Sequence, residues 1–520
     1  MYAIGIDLGT TNTVVSVFRN GRKETLKIDG GSNVPSVVSF KKNQPALVGR
    51  QAKARLGVDP DSTVGSTKRF MGDRTKTYQI NGSSYSPVDI SSYILKHAIE
   101  GAKDALGQDV WDAVITVPAY FNDAQRADTR RAGEQAGLNV LRLLPEPSAA
   151  AISYGFEKDK DQTILVYDLG GGTFDISVLR VTGNDFEVLG VGGDSQLGGD
   201  DFDNAILEWV AEEFKQQYSI DLLDTSRREY AVARQRIKEV VEQAKKDLSE
   251  PGCDIAEIVI PEIVGHSLDL ELHIDQFNKL INSHLRRTIE CIHQVLRGTN
   301  LSPDDIDRVV LIGGSTRIRA VKAMVTEEVR EPYCDEDPDE AVAWGAAIIA
   351  ASLGTPDEDL SPDINVKEVT AHSLGIGMTD DRSQYIFQPI ISKNSKYPCQ
   401  GGIIGFTAAP YQQAVEVRVF RGENSDANDN DELGDLTVPV KQPHGEQVPV
   451  AAVFKLDDDG ILHFQVVDFP ISNLQEAAVD SFLKSALENG GTIDVGVLEG
   501  LIRDQKIPQP EMITIDPAQA

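Results

Sequence analysis

Asp7, Gly9, Thr10 and Thr11 concentrate ligand-holding groups in one short stretch, Ile4-Gly5-Ile6-Asp7-Leu8-Gly9-Thr10-Thr11-Asn12-Thr13-Val14-Val15. Two β-branched runs flank a small, polar, acidic centre, which is the pattern of a β-hairpin whose turn is the working part. The glycine lets backbone approach a ligand, the threonines offer hydroxyl and amide donors, and a carboxylate at a strand end can hold a hydrated cation. A nucleotide phosphate with magnesium would suit such a turn, and so would no ligand at all; this stretch alone does not choose. A second copy does. Leu165 to Leu179 reads Leu-Val-Tyr-Asp-Leu-Gly-Gly-Gly-Thr-Phe-Asp-Ile-Ser-Val-Leu, with Asp168 repeating Asp7 and Gly170 repeating Gly9. Two related hairpins point to an internally duplicated fold that clamps phosphates from both sides.

Other stretches supply groups that such a clamp could use. Lys68, in Ser66-Thr67-Lys68-Arg69-Phe70, is either a surface lysine or one that reaches into a phosphate site. A strand from Ala113 is stopped by Pro118, and Asn122 or Asp123 can cap a helix from Ala124 to Ala136. Glu146 stands between Pro145 and Pro147 just before an Ala-rich helix. The prolines fix the backbone there, which suits a carboxylate that positions water, although the helix dipole alone also favours an acid at that place. Leu197-Gly198-Gly199-Asp200-Asp201-Phe202-Asp203 leads into an amphipathic helix through Tyr218. A longer helix from about Arg227 to Leu248 carries Ile237, Val240, Val241, Ala244 and Leu248 on one face. Glu242, Lys245, Lys246 and Ser249 mostly lie off that stripe, as a solvated face or as ligand contacts. Arg308 to Ile312 is a buried-type strand that enters Gly313-Gly314 and then a helix; this is a turn a ligand could approach, or a plain tight turn. Asp337-Pro338-Asp339-Glu340 opens a helix of small residues from Ala341 to Ser352.

Composition bounds the whole. A chain of 520 residues is too long for one core and suggests roughly three or four domains. A net charge of -31 argues against nucleic acid as a partner while saying nothing about nucleotides held locally. Cys253, Cys291, Cys334 and Cys399 are scattered without zinc or disulfide spacing, as expected of a reducing compartment. The early first strand leaves no room for a secretion signal, and no apolar run is long enough to span a bilayer, so the expectation is a cytoplasmic protein without a membrane partner. Gly354 to Asp359 is acidic and Pro-containing, the composition of a linker. From about Thr370 to Phe469 short alternating runs and turns predict an all-β sandwich. The remainder offers one helix, about Asn473 to Glu488, and an end with Pro508, Pro510 and Pro517.

Taken in order, Ile-Asp-Leu-Gly-Thr-Thr-Asn, Val-Pro-Ala-Tyr-Phe-Asn-Asp-Ala-Gln-Arg, Asp-Leu-Gly-Gly-Gly-Thr-Phe-Asp, Leu-Gly-Gly-Asp-Asp-Phe-Asp and Asp-Gly-Ile-Leu-His resemble the seventy-kilodalton heat-shock chaperone family, the DnaK type, from residue 2 to about 468. The resemblance implies an α/β fold: an actin-like two-lobed ATPase domain over 1–354, a linker over 355–369, a β-sandwich peptide-binding domain over 370–470 and a short helical, Pro-containing tail over 471–520. It implies ATP hydrolysed to ADP and phosphate, with magnesium, and with potassium as a further cofactor candidate. Asp7 and Asp168 would lie near magnesium through water, with Gly9, Thr10, Thr11 and Asn12 on one side of the phosphates and Gly170, Gly171, Gly172 and Thr173 on the other. Lys68 matches the lysine that orients the attacking water, and Glu146, Thr173 and Asp175 match the remaining hydrolytic positions. The adenosine pocket would be Glu242, Lys245, Lys246 and Ser249 facing Gly313, Gly314, Ser315, Arg317 and Asp339.

The resemblance also implies partners. Pro118, Arg126 and Glu146 match positions that relay nucleotide state between domains, and Tyr120, Asn122, Asp123 and Arg142 fall where the family receives a J-domain co-chaperone. A nucleotide-exchange factor and unfolded or extended client peptides complete the set. Ile376, Phe406, Val415 and Val417 match groove-lining positions of the peptide domain, where the residues by themselves fit the sandwich core equally. Three departures stand out. The linker Asp363-Ile364-Asn365-Val366-Lys367-Glu368-Val369 interrupts an aliphatic run with charge, which implies altered interdomain coupling. Pro145 and Ser148 replace the usual Asn and Thr beside Glu146. Most of the helical lid is expected to be lacking, so bound peptide would exchange quickly. Single motifs of this kind also occur in actin-like assembly proteins and small-molecule kinases, which would show ATP-dependent sedimentation or acceptor-dependent ADP release without free phosphate.

Overall fold

The computed structural model describes residues 2–155, 161–227, 229–333, 337–354, 363–380, 382–440, 445–469, 474, 477–507 and 512–513. Two compact units result, one of Met1–Phe121 with Asp128–Lys367 and one of Asn122–Ala127 with Glu368–Ala520.

The first unit repeats one sheet pattern twice. Strands β1 (Ile4–Leu8), β2 (Asn12–Arg19), β3 (Arg22–Thr25), β4 (Asp112–Val117) and β5 (Asn139–Pro145) run in the order β5-β4-β1-β2-β3. Strands β6 (Gln162–Leu169), β7 (Phe174–Thr182), β8 (Asp185–Asp194) and β9 (Arg308–Ile312) run in the order β9-β6-β7-β8. In both, the first strand of a hairpin pairs antiparallel with the second and parallel with a strand reached by a long crossover. The duplication seen in the motifs is therefore a duplication of topology.

Helix α1 (Pro87–Leu106) starts on a Ser86–Asp89 capping box and buries Ile90, Ile94, Leu95 and Ile99 beneath the first sheet's core. In α2 (Asp123–Gln135), Asn122 is the cap: its amide donates to Gln125 Oε1 and its Oδ1 accepts from the Gln125 amide, each at 2.9 Å. Helix α3 (Glu146–Gly155) is buried along its whole length. Helices α4 (Gly199–Tyr218), α5 (Glu229–Ser249), α6 (Ile274–Gly298) and α7 (Arg319–Glu328) serve the second lobe, where Ile237, Val241, Ala244 and Leu248 of α5 are buried as their spacing predicts and Val240 is half-buried. A short turn of helix, Gly314–Arg317, precedes α7.

Helix α8 (Ala341–Gly354) is made of small residues because it is squeezed. A Cβ on Gly345 would fall 1.8 Å from the Ala149 carbonyl oxygen of α3, and one on Gly5 of β1 would fall 2.1 Å from the Ala347 amide of α8. Only backbone-to-backbone approach fits these sites. Residues of the expected linker also take a regular form: β10 (Asn365–Val369) pairs in parallel with β8, Asp185 opposite Asn365 and Glu187 opposite Lys367. Cys334 and residues 355–362 of that linker lie outside the described residues.

The second unit is a sandwich of β11 (Leu374–Thr379), β12 (Tyr385–Ile391), β13 (Cys399–Phe406), β14 (Ala414–Arg421), β15 (Asp431–Pro439), β16 (Pro449–Leu456) and β17 (Leu462–Asp468). One sheet runs β12-β11-β14-β15; the other runs β13-β16-β17 and then Met512–Ile513, antiparallel to β17. Along β16, Val450, Ala452, Phe454 and Leu456 enter the core between the sheets while Ala451 and Val453 enter a second core on the opposite face. Helices α9 (Ala477–Glu488) and α10 (Val495–Arg503) form that second layer with Val479, Phe482, Leu498 and Leu501. The sequence predicts only the first of them. The second is announced by its cap, Asp494, whose Oδ1 accepts from the Val497 amide at 3.2 Å. Pro508, Pro510 and Pro517 lie outside the described residues. Among the described residues no helix is long and apolar enough to cross a membrane.

Candidate functional site

Two turns carry the site, and each is braced from outside its own hairpin. At the β1–β2 turn, Ser36 donates its amide to the Thr11 carbonyl and its hydroxyl to the Gly9 carbonyl, both at 2.8 Å. At the β6–β7 turn, the amides of Gly199 and Asp200 at the start of α4 donate to the carbonyls of Gly170 and Gly171 at 2.9 and 2.7 Å, and Ser315 Oγ donates to Gly170 O at 2.9 Å. With these carbonyls engaged, and the Gly170 amide donating to the Thr173 carbonyl at 3.1 Å, the other turn amides are the groups available to an anion.

Glycine is required where the turns meet. A Cβ on Gly171 would lie 2.0 Å from Thr11 Oγ1, and one on Gly172 would lie 2.8 Å from Thr10 Oγ1. Thr10 and Thr11 of the first turn are therefore brought against Gly172 and Gly171 of the second. Gly198 cannot carry a side chain either, since its Cβ would fall 2.5 Å from the Gly172 amide.

Beneath the turns lies a buried cluster of carboxylates with one lysine. Asp168 and Asp175 are cross-strand partners on β6 and β7, and Asp7 is the penultimate residue of β1. Lys68, in the short helix Thr67–Phe70, is 4% exposed and its Nζ is 2.5 Å from Oε1 of Glu146, the first residue of α3. The surface reading of this lysine is excluded. Burial, with the Glu146 charge added, pushes the Asp7 carboxyl up to about 7, against the pull of Lys68 and of Thr116, whose hydroxyl donates to Asp7 Oδ1 at 3.0 Å. Burial, Glu146, Asp175 and Asp7 push Asp168 well above the ordinary carboxylate range. Thr173, 7% exposed, lies on the second turn, and Asp175 Oδ1 accepts from the Tyr120 amide at 2.8 Å, two residues past Pro118.

The adenosine-side candidates form a second group. Lys245 is buried, its Nζ donating to Gly199 O at 3.0 Å and lying 2.7 Å from Asp203 Oδ1. Ser249 Oγ donates to Lys245 O, Lys246 pairs with Glu242 at 2.5 Å, and Arg317 spans Asp337 and Asp339 at 3.2 and 2.8 Å. Gly313 adopts φ +82, which a side chain rarely tolerates, and a Cβ there would meet the Leu169 carbonyl at 2.5 Å. Through Ser315 this group is tied to the phosphate turn.

The partner candidates fall elsewhere. Arg126 is buried, and its Nη1 donates to Asp459 O at 3.1 Å. Asp123 is buried and 3.7 Å from Arg421, and Arg142 sits half-buried on β5. Ile376 and Val417 belong to the core between the sandwich sheets, Val415 packs against that core, and Phe406 is 46% exposed at the end of β13. Sequence reasoning assigned no role to Ser36, Thr116, Asp200 or Asp201. The Gly-Gly-Asp-Asp run at the start of α4 was the available signal, because acids in a first turn after glycines mark a capped helix end aimed at something.

This duplicated two-sheet unit with paired glycine turns, followed by a sandwich, defines an actin-like ATPase joined to a second domain. A family model described as "Hsp70 protein" matches residues 3–483, and the chain belongs to that family. It is an ATP-dependent molecular chaperone that hydrolyses ATP, which sets aside the assembly-protein and small-molecule-kinase readings. Among its relatives, "Chaperone protein DnaK" of Thermotoga neapolitana is 41% identical over 488 residues, covering 92% of this chain and 80% of that one. The protein of the same name from Thermosipho melanesiensis is 39% identical over 496 residues, covering 94% and 82%.

Proposed function

We propose that ATP lies between the two turns with its γ-phosphate over the Lys68–Glu146 pair, and that water is the acceptor. Glu146 and Asp175 orient that water, the Thr173 hydroxyl and the turn amides bind the phosphoryl oxygens, and Lys68 Nζ meets the charge that builds on them. Support comes chiefly from the buried Lys68–Glu146 pair set among Asp7, Asp168 and Asp175; burial and mutual repulsion push the Asp7 and Asp168 carboxyls up, and a bound cation would relieve that repulsion. Magnesium fits that need, held through water by Asp7 and Asp168; when bound it supplies neutralisation of the phosphate charge. Glu242, Lys245, Lys246, Ser249, Gly313, Gly314, Arg317 and Asp339 would surround the adenosine.

The division of labour we propose is ATP hydrolysis over 1–354, connection over 355–369, client binding over 370–470 and a covering layer from 471 onward. An extended, apolar client segment would dock on the sandwich by backbone pairing, with Phe406 as the exposed anchor and Val415 beside the core. The cytoplasm is the compartment proposed, with a J-domain co-chaperone and an exchange factor as partners. Single-turnover phosphate release from ATP, with and without an extended hydrophobic peptide, tests the reading. Peptide is expected to raise the release rate; a rate indifferent to peptide would separate the sandwich from the ATPase and sink the coupled function.

A further inference from the structure

Arg69 follows Lys68 in the short helix Thr67–Phe70, and its guanidinium is almost wholly used on the second lobe. Its Nη1 and Nη2 reach Asp201 Oδ1 and Oδ2 at 3.3 and 2.6 Å, and Nη2 reaches Gly171 O at 3.4 Å. The Arg69 side chain is 12% exposed, and its Nε–H is buried without an acceptor. A buried charged donor left unmet costs stability, so its place in a structure needs a reason. Its position supplies one. The point where Gly172 would carry a Cβ lies 2.7 Å from Arg69 Nε and 2.8 Å from Thr10 Oγ1. Two donors of the first lobe therefore stand side by side over the glycine turn of the second, and only glycine leaves them room.

We infer that Arg69 is a phosphate-binding residue whose Nε–H serves the terminal phosphoryl group, as the γ-phosphate of ATP or as the phosphate that hydrolysis releases. Asp201 is its positioning residue: the two-point ion pair fixes the guanidinium plane so that Nε faces the turn. Asp201 is held in its turn, since its Oδ2 accepts from the Gly198 amide at 2.7 Å, and the neighbouring Asp200 accepts from Ser66 Oγ at 2.8 Å. The group discriminates ATP from ADP because ADP has nothing at that position. The inference rests on the nucleotide site proposed above.

Equilibrium affinities for ATP and ADP, and for inorganic phosphate in the presence of ADP, test it on the full chain. Arg69→Lys keeps a cation for Asp201 and removes Nε–H; Arg69→Gln is measured beside it so that a folding defect in one leaves the other as the readout. Both are expected to weaken ATP and phosphate binding roughly tenfold while ADP binding holds, as the loss of one charged hydrogen bond predicts. Asp201→Asn, which loosens the latch without removing Nε–H, is expected to weaken ATP and phosphate in the same direction by a smaller factor while ADP binding holds. An ATP-to-ADP ratio unchanged in both Arg69 variants would overturn the role given to Arg69, and an Asp201→Asn variant that weakens ADP as much as ATP would remove Asp201 as its positioning residue. Asp168→Asn serves as the control for the site: if it leaves both nucleotide affinities untouched, the nucleotide is not bound here and both readings fall.

Discussion

Lys68 and Glu146, proposed as catalytic, are also a structural pair. Both are almost fully buried, and each is the other's counter-charge. Lys68→Ala is expected to abolish single-turnover hydrolysis while ATP still binds, and also to cost about 3–5 kcal/mol of stability, because Glu146 is left charged in a low-dielectric site. Adding Glu146→Gln to that variant removes the orphaned charge. The denaturation midpoint of the double variant should then recover much of the loss while hydrolysis does not return. A double variant as unstable as Lys68→Ala would show that the pair is not what the single variant breaks. The motif types at this scale are legible in sequence, since Asp7, Gly9 and their repeats announce themselves. The Lys68–Glu146 contact spans 78 positions, and no local pattern in the chain encodes it.

Elements act here mainly by bringing backbones close. Helix α8 can reach α3 and β1 only because Gly345 and Gly5 lack side chains, and its alanines leave little else to absorb a shift. Gly345→Ala should therefore lower stability by about 3 kcal/mol, at the upper end of the range for overpacking, since the atom it meets is a carbonyl oxygen and not a pliable side chain. Chemical denaturation checks it; a change below about 0.5 kcal/mol, the size expected of an ordinary surface substitution, would mean that α8 slides freely. The same scale explains β10. Asn365, Val366 and Lys367 read as a linker because charge interrupts their apolar run, yet they extend a sheet by backbone pairing, which asks little of side chains. Asn365 adds a side-chain bond, its Nδ2 donating to Asp185 Oδ1 at 2.8 Å.

Over the whole molecule, the two compact units have separate cores, so each should respond to its own perturbation. Phe482 of α9 is 6% exposed and stacks with Phe469 at 6.1 Å between ring centroids. Phe482→Ala should cost about 3–5 kcal/mol and lower one thermal transition, while the transition that ADP with magnesium raises stays in place. A shift of both transitions by the same amount would mean that the units unfold as one. Charge works at this scale as well: against a net -31, Lys68 and Lys245 of the site are buried and Arg69 nearly so, while Lys246 and Arg317 stay exposed.

Local residue patterns were enough to reveal the two duplicated hairpins, the amphipathic face of α5, the small-residue helix α8 and the alternating strands of the sandwich. Each depends on neighbours a few positions away, so composition and period suffice. The tertiary structure alone decided which charges face each other. It buried Lys68 against Glu146, raised Asp7 by desolvation, set Arg69 over Gly172, and laid α9 and α10 on a sheet whose continuous apolar run Val450-Ala451-Ala452-Val453 was the single hint of a layer on both sides. Such outcomes follow from long-range burial and the low dielectric it creates, and neither has a signature within a short stretch of chain.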